Sequence, residues 1–88
     1  MILPRGDGRY VVKALLELDE FNDYFHTDYA LDDVDTVGGL VMTALEHVPA
    51  RGETLQLDDM QITVLRADSR RVHLLEVHRR QPSEATPD

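Results

Sequence analysis

Asp35-Thr36-Val37-Gly38-Gly39-Leu40-Val41-Met42-Thr43-Ala44-Leu45-Glu46-His47-Val48 is the stretch on which the fold turns. Its apolar residues Val37, Leu40, Val41, Ala44, Leu45 and Val48 fall at i, i+3, i+4, i+7, i+8 and i+11, which lines one face of an α-helix and predicts a helix pressed against a core. Asp35 or Thr36, both good N-caps, opens it. Pro49 ends it, since proline has no amide to donate and its ring clashes within a helix, and Gly52 marks the turn that follows.

Upstream, Leu18, Phe21, Tyr24 and Phe25 share a face at helical spacing, with Asp19 and Glu20 in the first turn where the helix dipole favours acids. A short helix over residues 17–26 follows, and residues 27–35, which show no period, connect it to the second helix. Tyr10, Val11, Val12 and Leu15 form a β-rich run over residues 9–15, opening after a turn at Gly6, Asp7 and Gly8. Downstream, residues 54–57, 60–67 and 71–79 are extended, separated by Asp58-Asp59 and Asp68-Ser69, and predict a meander of hairpins. Met60, Ile62 and Val64 alternate with Gln61 and Thr63, so the first set faces inward. In the last strand Val72 and Leu74 share one phase and Leu75 and Val77 the other, which requires a bulge or burial on both faces.

The order β-α-α-β-β-β predicts an α+β fold: two short helices covering one face of a mostly antiparallel four-stranded sheet. Leu40, Val41, Leu45, Ile62, Val64 and Val77 are its expected core. The domain spans residues 1–80. Residues 81–88 hold two prolines, Ser83, Thr86 and acids with nothing apolar larger than Ala85, and read as a disordered C-terminal tail.

Composition narrows the function. Eighty-eight residues make one domain, and 42% apolar with 30% charged suits a folded domain with a solvated surface. The absence of cysteine removes disulfides, thiolate zinc sites, iron–sulfur clusters and a cysteine nucleophile. Seventeen acids against nine bases give a formal charge of −8, the wrong sign for a phosphate backbone, so nucleic acid is not an expected partner. Residues 36–45, a stretch without charge, are too short to cross a bilayer, which takes about 20 apolar residues, so no direct membrane insertion is expected. Residues 1–4 carry no signal-peptide pattern.

Read together, Gly8-Arg9-Tyr10-Val11-Val12, Leu18-Asp19-Glu20-Phe21-Asn22 and Asp35-Thr36-Val37-Gly38-Gly39-Leu40-Val41, followed by Val48, Pro49 and Gly52, resemble the CorC/HlyC transporter-associated domain. The structural signature is Asp35, Thr36, Gly38, Gly39, Pro49 and Gly52. The closing hairpin, with Ile62, Val64, Leu65, Arg70, Arg71, Val72, Leu75 and Val77, fits the same family. Two departures are Asp58-Asp59, where the family often carries glycine, and Ala14, where glycine is common. The resemblance implies a C-terminal module of magnesium and cobalt efflux proteins or hemolysin-like membrane proteins. Such a module lies on the cytoplasmic side of the membrane after a membrane domain and a pair of CBS modules, and modulates ion transport without being an enzyme. The family's fold resembles a subdomain of FAD-binding oxidases, a fold-level likeness.

Candidate sites are few. Gly38 and Gly39 open a helix whose amides can hold a phosphate, such as that of FAD or an adenine nucleotide, although Asp32, Asp33 and Asp35 just upstream repel an anion. The plainer reading is that glycine allows close backbone approach. Asp28, Asp32, Asp33 and Asp35 are candidate oxygen ligands for magnesium or calcium at low affinity. An EF-hand alignment starting at Asp33 fails, because Val37 and Ala44 stand where ligands belong. His26, His47, His73 and His78 show no zinc spacing, and neither Ser69 nor Ser83 lies in a nucleophile elbow. No catalytic residue and no obligatory cofactor are therefore expected. Charge is segregated: residues 17–35 hold eight acids and no Lys or Arg, whereas residues 66–80 hold five arginines and two acids. That polarity, with the arginines on a last and exposed strand edge, suits docking to a second copy or to the rest of a parent chain.

Overall fold

A computed structural model describes residues 2–79. The expected tail at 81–88, with Ser83, lies outside the described residues, as does Arg80. The chain runs β1 (Ile2–Gly6), β2 (Arg9–Lys13), α1 (Leu18–Phe25), α2 (Val37–Leu45), β3 (Thr54–Leu57), β4 (Met60–Ala67) and β5 (Val72–Arg79). The strands form one sheet in the order β1-β2-β5-β4-β3, antiparallel at every pairing. The class is the expected α+β.

The sheet has five strands where the sequence predicts four. The extra one, β1, contains Pro4 and Arg5 and shows no apolar alternation. Proline cannot donate to a ladder and is confined to sheet edges, which is where β1 lies, paired only with β2. The hairpin turns through Gly6, Asp7 and Gly8, all at positive φ. Gly8 is bound by contact as well as conformation: its carbonyl accepts the Arg79 amide at 2.8 Å, and a Cβ there would lie 2.5 Å from the Arg79 carbonyl oxygen.

β5 is a central strand, not the edge that the sequence suggested, because it pairs with both β2 and β4. Its conflicting phases are reconciled by a bulge. Val64 pairs with Leu75, but Arg66 then pairs with Leu74 and Ala67 with Val72, so Leu65 and His73 drop out of one-to-one register. Val72, Leu75 and Val77 thereby all reach the core side.

α2 is shorter than its apolar stripe. Glu46 takes a left-handed conformation and returns its amide to the Met42 carbonyl, which ends the helix three residues before Pro49. Leu45 is consequently only partly buried, and Ala44 and Val48 are exposed, so Leu45 borders the core. Pro49 itself is fully buried. The core joins Val12 and β4–β5 residues Met60, Ile62, Val64, Leu75 and Val77 to Leu18, Phe21 and Phe25 of α1 and Val37, Leu40 and Val41 of α2. β2 stops at Lys13, yet alternation continues past it. Ala14, Leu16 and Leu18 point inward while Leu15, assigned above to the first strand, is 68% exposed.

Candidate functional site

The two helices begin side by side. The segment leading into α1 runs along the segment leading into α2, joined by a bridge between Glu17 and Thr36. The Leu18 amide donates to the Asp35 carbonyl at 2.8 Å, the Val37 amide to Leu16 at 3.0 Å and the Gly38 amide to Ala14 at 2.9 Å. Thr36 is the N-cap, its hydroxyl accepting from the Gly39 amide at 3.1 Å, and its carbonyl accepts the Leu40 amide at 3.0 Å. Every amide of the first turn of α2 is thus spent inside the domain, and none is left to hold a phosphate. A Cβ on Gly38 would fall 2.8 Å from the Ala14 Cβ, so glycine at 38 sets how closely α2 approaches the end of β2.

A second polar cluster closes α1. His26 caps it in the left-handed region. Asn22 then organises the exit: its Oδ1 accepts from the Thr27 hydroxyl at 2.8 Å and the Tyr29 amide at 3.1 Å, while its Nδ2 donates to the Tyr29 carbonyl at 2.9 Å. The Tyr29 hydroxyl donates to Asp58 Oδ2 at 2.8 Å, and burial first, then this hydrogen bond, push its pKa far above the ordinary phenol value. Arg79 donates from Nε to Asp59 at 3.3 Å and from Nη1 to the Phe25 carbonyl. Asp58 and Asp59, at the turn where the family often carries glycine, therefore tie the β3–β4 hairpin to the end of α1. Asp58 takes positive φ to do so. Asn22 was visible in the sequence as part of a motif. The part played by Tyr29 was not, since only the fold brings it to Asp58.

Between these clusters lies an open cleft of about 470 Å³. Leu15, Leu31 and Val34 line it with apolar surface, and Glu17, Asp19 and Asp35 with carboxylates. Leu31 is 45% exposed, and all eight acids of residues 17–35 are exposed, with no ion-pair partner among the described residues. Of the four candidate metal ligands only Asp35 lines the cleft; Asp28, Asp32 and Asp33 are spread along the exposed loop. Among the described residues no group of three or more His, Asp or Glu is gathered closely enough to hold a metal ion. The histidines are separated likewise. His47 meets Glu53 at 2.9 Å, His73 meets Asp68 at 2.7 Å, and His26 is the α1 cap. Ser69 lies in the exposed β4–β5 turn. No described helix is long and apolar enough to cross a membrane.

The close approach of Gly38 to the end of β2 and the Asn22 cluster give physical roles to residues that carried the family resemblance. The model of the transporter associated domain, CorC_HlyC, matches residues 4–81. The chain belongs to this family. The CorC/HlyC domain here is 46% identical over 76 residues to the magnesium and cobalt efflux protein CorC of Salmonella typhimurium strain LT2, covering 86% of this chain and 25% of that protein. The chain thus spans about a quarter of the curated relatives it matches. A Neisseria meningitidis MC58 structure, described as a region associated with an Mg2+ and Co2+ transporter (CorC), superposes with a TM-score of 0.85 at 39% identity, covering 90% of this chain and 98% of that one. A CorC_HlyC domain of a Xylella fastidiosa hemolysin, solved in complex with Mg2+ and Mn2+, shares the fold at a TM-score of 0.77 and 20% identity, covering 91% of this chain and 98% of that one.

Proposed function

We propose that this CorC/HlyC domain is a non-enzymatic docking and regulatory module of a divalent-cation efflux protein. It follows CBS modules and a membrane domain, and acts from the cytoplasmic side by holding its neighbours in one arrangement. The observation that carries this reading is the 46% identity to one quarter of a magnesium and cobalt efflux protein, CorC. The side chains suit contact better than chemistry. The α2 amides are spent internally, and the exposed acids stand apart from one another. Deleting residues 2–79 from the full-length protein is the test. Cation efflux or assembly should change while the membrane part still inserts, and unchanged efflux and assembly would overturn the proposal.

A second reading, direct sensing of a divalent cation by Asp28, Asp32, Asp33 and Asp35, is favoured by the Xylella neighbour that binds Mg2+ and Mn2+. Calorimetric titration with MgCl2 and MnCl2 decides it. Saturable heat that Asp32→Asn and Asp33→Asn abolish supports sensing, and its absence at millimolar metal removes it.

A further inference from the structure

We propose that the cleft between the start of α1 and the 29–36 loop is the docking seat, and that its occupant is a basic amphipathic peptide segment in which a leucine-sized anchor is flanked by Lys or Arg. This rests on the docking reading above and names the surface it uses.

Three observations converge on the cleft. Leu15, at 68% exposure, and Leu31, at 45%, line one concavity together with the partly buried Val34. Apolar surface gathered in a concavity differs from single exposed leucines, and marks a binding surface. Glu17, Asp19 and Asp35 border the same cleft, exposed and without ion-pair partners among the described residues. All three are available to pair with a cationic segment brought from outside. The volume, about 470 Å³, lies within the range of pockets that enclose small ligands and side chains. An anchor covers the leucines, and its basic neighbours meet the carboxylates. A second copy is the wrong occupant. Each chain carries −8, and a two-fold contact at this surface would set one carboxylate border against its identical partner.

The test uses the 88-residue chain and two fluorescein-labelled peptides, Lys-Lys-Leu-Leu-Lys-Lys and its serine counterpart Lys-Lys-Ser-Ser-Lys-Lys, by anisotropy at physiological salt. The leucine peptide should bind roughly tenfold or more tightly than the serine peptide, as expected for burying an apolar anchor. Leu15→Ser with Leu31→Ser should remove that difference, and Asp19→Lys should weaken binding. Asp23→Lys, an equal charge change away from the cleft lining, should leave it within about twofold. Equal binding of both peptides, or equal loss in Asp19→Lys and Asp23→Lys, would show unspecific attraction to an acidic protein and overturn the seat. Sedimentation showing a dimer that Leu15→Ser dissolves would also overturn it. In the full-length protein the two ideas separate. If deletion of residues 2–79 changes efflux but the paired leucine variant does not, the seat fails and the regulatory reading stands. If deletion changes nothing while leucine-dependent peptide binding holds, the regulatory reading fails alone.

Discussion

Adjacent glycines at 38 and 39 do different work. A Cβ at 38 would meet the Ala14 Cβ at 2.8 Å and its carbonyl oxygen at 3.2 Å, whereas a Cβ at 39 finds nothing nearer than 3.4 Å. Gly38→Ala should therefore cost about 1–3 kcal/mol by overpacking, while Gly39→Ala, in an ordinary helical site, should be neutral or stabilise by up to about 1 kcal/mol. Urea unfolding of both variants measures the contrast. Ala14→Gly placed on Gly38→Ala should recover part of the loss, and a Gly38→Ala variant as stable as Gly39→Ala would refute the close approach. Asn22 is the other residue whose chemistry is spent on shape. Three side-chain hydrogen bonds hold the chain leaving α1 in a part-buried setting, so Asn22→Ala should destabilise by about 1–3 kcal/mol, read from the denaturant midpoint.

At the scale of elements, the first turns of α2 and the β4 alternation could be read directly, because each is a short-range pattern with one face committed to the core. What escaped the pattern depended on partners distant in sequence. β1 has no amphipathic signal and exists by pairing with β2, and β5 is central because β2 returns to it across both helices. The cleft combines Leu15 with Leu31, and whether a leucine faces water is decided by where a strand or helix stops. The link between α2 and β3 carries its own pH dependence. The Glu53 side chain raises the pKa of His47 above its ordinary value, while the Ala50 amide first, and then His47, lower that of Glu53. The contribution of His47 is present below its unfolded pKa of about 6.5 and lost as pH rises through the folded value. That of Glu53 is present above its unfolded pKa of about 4.3 and lost as pH falls through the folded value. The difference in thermal midpoint between the natural chain and His47→Ala should therefore be largest between about pH 4.5 and 6.5 and shrink on both sides. A difference independent of pH would mean that the pair contributes only packing.

For the molecule as a whole, one layer of helix on one sheet leaves a single core with no reserve. A domain of this size has only about 4–12 kcal/mol of total stability at roughly 0.05–0.15 kcal/mol per residue. The depth of each core residue then decides which substitutions the fold survives. Leu75 is fully buried at the centre of β5, the strand that joins the β1–β2 hairpin to the β3–β4 hairpin, so Leu75→Ala leaves a cavity at the point where both halves meet. Its expected cost is about 2–5 kcal/mol. Leu45 sits at the end of α2 with one side toward solvent, where the surroundings can close over a truncated side chain. Leu45→Ala should therefore cost less, about 1–2 kcal/mol, although the sequence places Leu45 in the expected core and leaves Leu75 out of it. Circular dichroism melts of the two variants distinguish these cases. Leu75→Ala should melt roughly 10–40 °C below the natural chain and Leu45→Ala roughly 4–16 °C below it. The reverse order would place the weight of the core on the helix and not on the central strand.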